Sequence, residues 1–273
     1  MPDASQYHFQ SASVPAAYDL YFVPRLFAPW ARVLLDSLEL KPGDHVLDVA
    51  CGSGVVTRML AERIGANGHV TGTDISAQML ELARGKPALP NAAPIEYLES
   101  PAAPLAMPDH AFDVATCQHG FQFFPDRAAA AVELKRVLKP GGWLGVAVWG
   151  AIEECRHFMT AHHALKANVP HELANLILAP FSWPKASDLS KLLTDAGFSE
   201  VRVEEWELPF SFEEGAVQAA DSIAATPLAP LIAELPEATQ AALKRDLESR
   251  YALFSREIGV HTMMSSNIAT ARA

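Results

Sequence analysis

The amino-acid sequence predicts an α/β fold in which helices cover a doubly wound, mostly parallel sheet. From residue 44 to residue 150, short β-type runs alternate with helical patterns. The β-type runs are apolar or β-branched at nearly every position, as expected for parallel strands buried on both faces. The helical patterns end at or near glycine or proline. Strict alternation of strand and helix favours right-handed crossovers within one open sheet.

Five strands and three helices are predicted in this region. The strands are HVLDVA from His45, HVTGTD from His69, IEYL from Ile95, FDVATC from Phe112 and WLGVAVW from Trp143. The helices are VVTRMLAERIG from Val55, SAQMLELARG from Ser76 and RAAAAVELKRVL from Arg127. The KPGG segment at 139–142 is predicted to end the last helix and turn into the last strand.

The pattern changes after Gly150. A histidine-rich helical segment is interrupted by Pro170 and Pro180, and a helix then ends at Gly197. An alternating strand, a helical block and a final strand at or next to the sheet edge complete the chain. We expect a single domain over residues 1–273, with an antiparallel strand near one edge of its sheet. Its expected parts are an N-terminal helical segment (1–40), a core (41–150), helical cap insertions (151–195 and 211–258) and closing strands (199–210 and 259–272).

Composition restricts the function classes. The 273 residues carry 32 acidic and 21 basic side chains, a formal net charge of -11, so a phosphate backbone would be repelled and no nucleic-acid partner is expected. Apolar runs are too short to cross a bilayer, and the N-terminus lacks the pattern of a secretory signal. We therefore expect a cytoplasmic protein without membrane insertion. Three cysteines without metal-ligand spacing predict neither disulfides nor a metal site. The sequence leaves open whether the protein forms a homodimer.

The candidate binding residues lie at the first strand-to-helix turn of the predicted sheet. Ligands of open α/β sheets bind beyond the carboxyl ends of the strands, where Gly52 and Gly54 let a ligand approach the backbone. A dinucleotide site would place a third glycine at Thr57, and Asp48 would repel a pyrophosphate. Asp74, at the end of the second strand, is placed to accept hydrogen bonds from both hydroxyls of a ribose. This pair of carboxylates suits a positively charged nucleoside without phosphate.

These residues resemble a known family. LDVACGSG resembles the first motif of the class I S-adenosylmethionine-dependent methyltransferases, and TGTDIS resembles their second-strand acidic motif. MPDHAFDVATCQHGFQFFPD and ELKRVLKPGGWLGVAVW are similar to later regions of the branch related to ubiquinone and menaquinone biosynthesis methyltransferases, and AAYDLYFVP to its lead-in helix. The resemblance covers about residues 15–210. It implies a Rossmann-like fold, S-adenosyl-L-methionine as cofactor, S-adenosyl-L-homocysteine as product, and residues 1–40 as a lid.

The resemblance also implies a set of cofactor contacts. Asp48, Ala50, Gly52 and Gly54 are expected around the methionine part, with Asp74 on the ribose. The other implied contacts are Ile75 and Met79 beside the adenine, Gln118 near the sulfonium, and Pro101 and Ala102 through their backbones. At Pro101 and Ala102 the sequence departs from the family pattern, because Ser100, Pro101 and Ala102 stand where the family has an Asp followed by a small residue. Glu99 is the alternative contact to the adenine there.

His119, next to Gln118, is the predicted general base, for an acceptor that must lose a proton. The predicted acceptor contacts are Tyr18, Tyr21, Phe22, Gln122 and Trp149. For the aromatic residues among them, a place in the hydrophobic core is the competing interpretation. A metal site at His157, His162, His163 and His171 is not expected, because these rings do not converge on one helix face.

The predicted function is methyl transfer to a small-molecule acceptor. The acidic surface and aromatic cap of the protein favour an aromatic or heterocyclic acceptor with an oxygen or nitrogen nucleophile. CQHGFQFF lacks the arginine-bearing motif of the carbon methylators in the quinone branch, which also favours oxygen or nitrogen over carbon. Three alternatives stay open: carbon methylation of a quinone-type precursor, a non-catalytic S-adenosylmethionine-binding module, and an NAD-dependent oxidoreductase. The missing third glycine argues against the last.

Overall fold

In the computed structural model, residues 13–183 and 185–273 are described. The strands of these residues form one seven-stranded sheet. In chain order they are β1 (His45–Val49), β2 (His69–Asp74), β3 (Ile95–Glu99), β4 (Phe112–Gln118), β5 (Leu138–Trp149), β6 (Ser199–Phe212) and β7 (Val260–Arg272). Their order across the sheet is β3-β2-β1-β4-β5-β7-β6.

The helices of the described residues are α1 (Ser13–Ala17), α2 (Ala28–Asp36), α3 (Val55–Ile64), α4 (Ala77–Arg84), α5 (Arg127–Val137), α6 (Arg156–Asn168), α7 (His171–Asn175), α8 (Ala186–Asp195), α9 (Ala216–Asp221), α10 (Ala229–Ala233) and α11 (Glu237–Ala252). A π-helical segment, Tyr18–Phe27, joins α1 to α2. Short 3-10 turns occur at Phe121–Phe123, Leu176–Phe181 and Ser222–Ala225.

The sheet confirms the predicted fold class. β1 pairs in parallel with β2 on one side and with β4 on the other, so the strand order reverses between β1 and β4. β7 is antiparallel to both of its neighbours and lies one strand in from the β6 edge. In such sheets a ligand crevice forms outside the carboxyl ends of the two strands at the reversal. The ends of β1 and β4 therefore mark the candidate site.

The KPGG segment differs from its prediction. Residues 139–142 lie inside β5 rather than before it. Leu138 pairs with Phe112, and the next pairing joins Trp143 to Val114, so the intervening residues bulge out of the strand. Gly141, with φ of +78°, allows that excursion, since a side chain there would be strained.

The N-terminal helix, which consists of α1, the π-helical segment and α2, changes its hydrogen-bond register at its centre. Through Tyr18–Phe27 the chain takes the wider π-helical form, and the amide of Ala28 donates to the carbonyl of Val23, five residues earlier. Pro24 lies within this segment and has no N–H to donate. Stretches of π-helix inside α-helices occur often at functional sites, and this one lies over the first turn of the sheet.

Helices cover both faces of the sheet. α2 and α3 pack on one face, where Leu35, Leu60 and Val46 belong to one buried cluster. α5 and α8 pack on the other, in a cluster that contains Leu134 and Leu193. α8, which lies within the cap segment expected over 151–195, packs on the sheet itself. A third cluster joins the N-terminal helix to α6, α9 and α11.

His157 is buried in that third cluster, with 2% of its surface exposed. Its Nε2 lies 3.1 Å from the Ser222 hydroxyl, and its ring stacks on Tyr251 at 4.7 Å between centroids. Burial lowers the pKa of His157 to about 3. Protonation of this side chain therefore favours the unfolded state, in which the pKa returns to about 6.5.

We expect His157→Gln to flatten the dependence of stability on pH. Acidification from pH 6.5 to 5 should lower the unfolding free energy of the native chain by about 1.6 kcal/mol through this residue, because unfolded His157 takes up a proton and folded His157 does not. Urea unfolding at several pH values measures the slope. His163→Gln, on the exposed side of α6, is the matched control, and an unchanged slope in His157→Gln would contradict the prediction.

Candidate active site

The turn between β1 and α3 has backbone conformations that few side chains accept. Ala50, Gly52 and Gly54 have φ values of +58°, +54° and +82°. Ala50 carries a Cβ, and such a conformation costs of order 1–3 kcal/mol, which folded proteins retain chiefly at functional sites. Among the described residues, a Cβ added to Gly52 would come within 4 Å only of the Tyr18 hydroxyl, at 3.9 Å. Gly52 thus leaves space against the backbone of this turn, whereas a Cβ at Gly54 would meet the side chains of Tyr97 and Ala83.

Asp74 ends β2 beside this turn. One carboxylate oxygen accepts a hydrogen bond from the amide of Gly52 and the other from the amide of Ser76, both at 2.8 Å. Burial raises the pKa of Asp74, and these amides oppose the rise. A carboxylate has about four acceptor positions. Each oxygen therefore keeps a second lone pair for another donor.

Asp48 is buried between α3 and β4 and is only 1% exposed. Its two oxygens accept hydrogen bonds from the hydroxyls of Thr57, at 2.6 Å, and Thr116, at 2.9 Å. Desolvation raises the pKa of Asp48 to about 6, although both threonines oppose the rise. Thr57, which occupies the position of the third glycine of a dinucleotide motif, thus holds the carboxylate in place. With both oxygens hydrogen-bonded and the side chain buried, Asp48 could act on a ligand only through its charge.

The residues expected beside an adenine lie around the end of β2. Ile75 is 64% exposed, which leaves its surface open to a ligand. Met79 is buried in α4, whose first turn is capped by Ser76. The amide of Ser100 donates to the carbonyl of Asp74, so the segment with Pro101 and Ala102 runs beside the same strand end. Pro101 is exposed and Ala102 half-buried.

Gln118 and His119 end β4, on the other side of the strand reversal. The amide nitrogen of Gln118 donates to the carbonyl of Phe27, at 3.1 Å, which ties β4 to the N-terminal helix. Within the described residues, Gln118 Oε1 has no partner although it is buried. His119 has φ of +53°, so each strand at the reversal is followed by a left-handed residue that is not glycine, Ala50 after β1 and His119 after β4.

The His119 side chain is 5% exposed and enclosed by aromatic rings. It stacks on Trp149 at 3.5 Å with 7° between the planes, and Phe27 and Trp30 lie about 6 Å away by ring centroids. Nε2 lies 3.0 Å from the Ser266 hydroxyl, whereas Nδ1 has no partner in the part of the chain described. Burial lowers the pKa of His119 well below its usual range. The imidazole is therefore neutral at neutral pH.

Gln122 lies in the 3-10 turn after β4 and is 1% exposed. Across residues 13–183 and 185–273, neither its amide nitrogen nor its oxygen finds a hydrogen-bond partner. A buried polar group without a partner costs about 1–3 kcal/mol, so each instance needs an explanation. Gln118, His119 and Gln122 together leave four such polar atoms next to the end of β4. They are the groups available to bind a polar ligand.

The N-terminal helix covers the first turn. Asp19 accepts hydrogen bonds from the Ser53 hydroxyl, at 2.8 Å, and from the Lys86 ammonium group, at 2.6 Å. Tyr18 stacks on Phe27 at 4.8 Å, and burial together with the charge of Asp74 raises the pKa of Tyr18 well above its usual range. Tyr18 thus lies close to both Gly52 and Asp74.

The remaining predicted acceptor contacts divide between core and site. Phe22 is 4% exposed and packs edge-on against Phe158 and Phe210 inside the cap. Tyr21 is half-buried against the same cluster. Trp149, through its stack with His119, is the aromatic residue of this group that lies at the strand ends. Phe22 and Trp149 are both 4% exposed and belong to the same buried cluster, so the core interpretation describes both of them, and the stack with His119 is what distinguishes Trp149.

Several residues of the site escaped sequence analysis. Asp19 and Thr116 lie in segments that carry the resemblance but were not singled out there, and Lys86 lies outside those segments. Ser266 lies 147 residues from His119 along the chain, so only the position of β7 beside β5 brings them together. The orphaned amide of Gln122 is likewise a property of the folded chain.

The histidines of residues 157–171 lie in different surroundings. His162 and His171 each lie within hydrogen-bond distance of the Asn175 side chain, while His157 is buried elsewhere. Over the described ranges, no three His, Cys, Asp or Glu side chains converge as metal ligands.

Comparisons with known proteins give one matching family and several relatives. The model of a family described as the ubiE/COQ5 methyltransferase family matches residues 24–209. Demethylmenaquinone methyltransferase of Listeria welshimeri is 32% identical over 188 residues, which span 65% of this chain and 80% of that protein. Nocamycin O-methyltransferase of Saccharothrix syringae is 33% identical over 192 residues, spanning 64% of this chain and 66% of that protein.

Solved structures show the same fold. Phosphoethanolamine N-methyltransferase 2 of Haemonchus contortus, in complex with S-adenosyl-L-methionine, is 17% identical with a TM-score of 0.60, covering 96% of this chain and 57% of that one. An S-adenosylmethionine-dependent methyltransferase of Aquifex aeolicus is 25% identical with a TM-score of 0.50, covering 70% and 89%. Among the described residues, the helices are too short or too polar to span a membrane.

Proposed function

This chain belongs to the ubiE/COQ5 methyltransferase family, and from that membership we propose that it methylates a ring carbon of a hydroxylated, quinone-type precursor. It is an S-adenosylmethionine-dependent methyltransferase, as its relatives and structural neighbours are. The sequence favoured an oxygen or nitrogen acceptor. We place the quinone-type acceptor first because several relatives are named demethylmenaquinone methyltransferase.

The residues at the ends of β1 and β2 fit the donor. Asp74 keeps a lone pair on each oxygen, which matches the two hydroxyls of a ribose. The open face of Gly52 and the exposed side chain of Ile75 leave room for the methionine part and the adenine. Asp48 and Asp74 supply negative charge beside a cationic nucleoside. When bound, the donor supplies a methyl group already activated for in-line displacement, so the chain mainly has to orient the acceptor and exclude water.

Asp19→Asn tests the N-terminal helix as a lid. The ion pair with Lys86 is only partly exposed and holds the helix on the turn, so its loss should weaken closure by about 1 kcal/mol. We expect S-adenosylhomocysteine to dissociate about fivefold faster. Stopped-flow displacement measures the rate, and Asp195→Asn, in the exposed pair with Lys191 on α8, is the matched control. Equal dissociation rates in all three proteins would contradict the lid assignment.

The end of β4 fits an acceptor with an acidic hydroxyl. His119 is neutral and buried, and its free nitrogen can accept that proton. As the methyl carbon bonds to the ring and its bond to sulfur breaks, the hydroxyl proton passes to His119. The methylated ring carbon then loses its proton to solvent, which restores the aromatic ring, and the His119 imidazolium returns a proton to the oxygen, which restores the hydroxyl. The amides of Gln118 and Gln122 can hydrogen-bond the ring oxygens, and Trp149 borders the site with an aromatic surface.

The observation that carries this proposal is the group of four unpartnered polar atoms at the end of β4, opposite the carboxylate pair. Oxygen methylation is the second candidate function, because nocamycin O-methyltransferase is as similar to this chain as the demethylmenaquinone enzymes are. The same proton transfer to His119 would serve either atom. Family membership gives no support to the oxidoreductase and binding-module alternatives.

The test is transfer of a carbon-13-labelled methyl group to an alkylated dihydroxynaphthalene kept reduced. Nuclear magnetic resonance of the product distinguishes a methyl on carbon from a methyl on oxygen. We expect a carbon-bound methyl, and no product from the same alkylnaphthalene without hydroxyls. An oxygen-bound methyl would favour the second candidate. Absence of any product, while S-adenosylhomocysteine still binds, would overturn the proposed acceptor class.

A further inference from the structure

We propose that Ser266 is the positioning residue of His119: its hydroxyl fixes the imidazole in the tautomer that carries hydrogen on Nε2 and leaves the Nδ1 lone pair to accept the acceptor's proton. The use of Nδ1 rests on the proposed function, whereas the tautomer follows from the hydrogen bonds of the free protein. Ser266 is fully buried on β7 and is paired in register with Trp149 on β5.

The tautomer follows from counting hydrogens. The Ser266 hydroxyl has one hydrogen, and it donates that hydrogen to the carbonyl of Val148, at 2.8 Å. Toward His119 Nε2, at 3.0 Å, the same oxygen can therefore act only as an acceptor. A neutral imidazole has one N–H, so Nε2 carries it and Nδ1 keeps a bare lone pair.

That lone pair is the unexplained feature of the site. Nδ1 is buried and has no hydrogen-bond partner within the described residues. The side chains around the ring, Ser266, Trp149, Phe27 and Trp30, come from β7, β5 and the N-terminal helix, and all are uncharged. With the other tautomer, Nδ1 would carry hydrogen and could not accept a proton from an acceptor hydroxyl.

Trp149 complements the proton transfer. Methyl transfer removes the positive charge of the sulfonium while the proton taken up by Nδ1 creates a positive imidazolium, so the net charge of the site is unchanged. The indole face lies 3.5 Å from the imidazole and nearly parallel to it, an arrangement in which the aromatic ring attracts a cation. Because Trp149 and Ser266 are register partners, the β5–β7 pairing sets both contacts to His119.

The first experiment is nitrogen-15 nuclear magnetic resonance of the histidine-labelled protein. The chain has 10 histidines, and the signals lost in His119→Gln assign the residue. We expect a pyridine-type Nδ1 and a pyrrole-type Nε2 for His119 at neutral pH. The opposite pattern, or an even mixture of tautomers, would overturn the proposal whether or not the protein methylates the predicted acceptor.

The second experiment removes the hydroxyl. In Ser266→Ala we expect mixed tautomers and a tenfold or greater fall in kcat with little change in the KM for the donor, whereas Ser266→Thr should restore both. Ser265→Ala, one residue earlier on β7, is the control. If Ser266→Ala keeps full kcat, the positioning role fails while the proposed function stands; if the native chain methylates no tested acceptor, the spectrum still decides the tautomer. Should Ser266→Ala not fold, the native spectrum and Ser266→Thr carry the test.

Discussion

Replacing Asp74 by Asn is expected to weaken binding of S-adenosylhomocysteine about 100-fold, equivalent to about 2.7 kcal/mol. Hydrogen bonds to a charged group contribute about 1.5–3 kcal/mol each, and the carboxylate has a free lone pair on each oxygen for the two ribose hydroxyls. Asn keeps the shape but replaces one acceptor by a donor and removes the charge. Isothermal titration calorimetry measures the affinity.

Asp113→Asn is the matched control for Asp74→Asn. Asp113 lies at the start of β4, at the opposite edge of the same sheet, where it pairs with Lys139 at 2.7 Å and accepts from the amide of His45. Its replacement should lower stability without changing donor affinity. Equal affinity in Asp74→Asn and the native chain would show that the nucleoside binds elsewhere.

Replacing His119 by Gln is expected to lower the turnover number about 100-fold or more, because general base catalysis contributes about 10²–10⁴-fold. Donor affinity should change little, since His119 lies at the end of β4 and Asp74 at the end of β2. Labelled-methyl transfer at saturating donor measures the effect. The exposed His163→Gln serves as control, and a His119→Gln enzyme that keeps native turnover would remove His119 from the mechanism.

The pH profile gives an independent check on His119. Burial depresses its pKa well below the ordinary value of 6.5, so the neutral base persists as the pH falls through 6.5. Turnover should therefore show no acidic limb at 6.5, and a limb should appear only at lower pH. A limb near 6.5 that disappears in His119→Gln would show that the imidazole is solvated during turnover, contrary to the structure.

Local sequence patterns predicted most of the fold. Alternating buried strands and capped helices are local features, and they identified β1 to β4, the helices between them, and β7 beside the sheet edge. The patterns failed where tertiary contacts decide the backbone. The bulge at 139–142 depends on how β5 pairs with β4, and the π-helical segment over Tyr18–Phe27 packs on the first turn of the sheet.

The candidate site was predictable in part for the same reason. The carboxylates and glycines of the donor side stand at strand ends, and strand ends are visible in sequence. Residues that act through contacts distant in sequence were not. Ser266 reaches His119 only because β7 inserts between β5 and β6, and Asp19 reaches Ser53 only when the N-terminal helix closes over the turn. The aromatic residue Phe22, which helical spacing alone could not assign, packs in the core.

The most direct test of the account is a crystal structure of the protein with S-adenosylhomocysteine. We predict that both ribose hydroxyls lie within hydrogen-bond distance of the Asp74 carboxylate, that the adenine lies beside Ile75, and that the sulfur is directed toward Gln118 and His119. A nucleoside bound away from the ends of β1 and β2, or a sulfur directed away from His119, would contradict it.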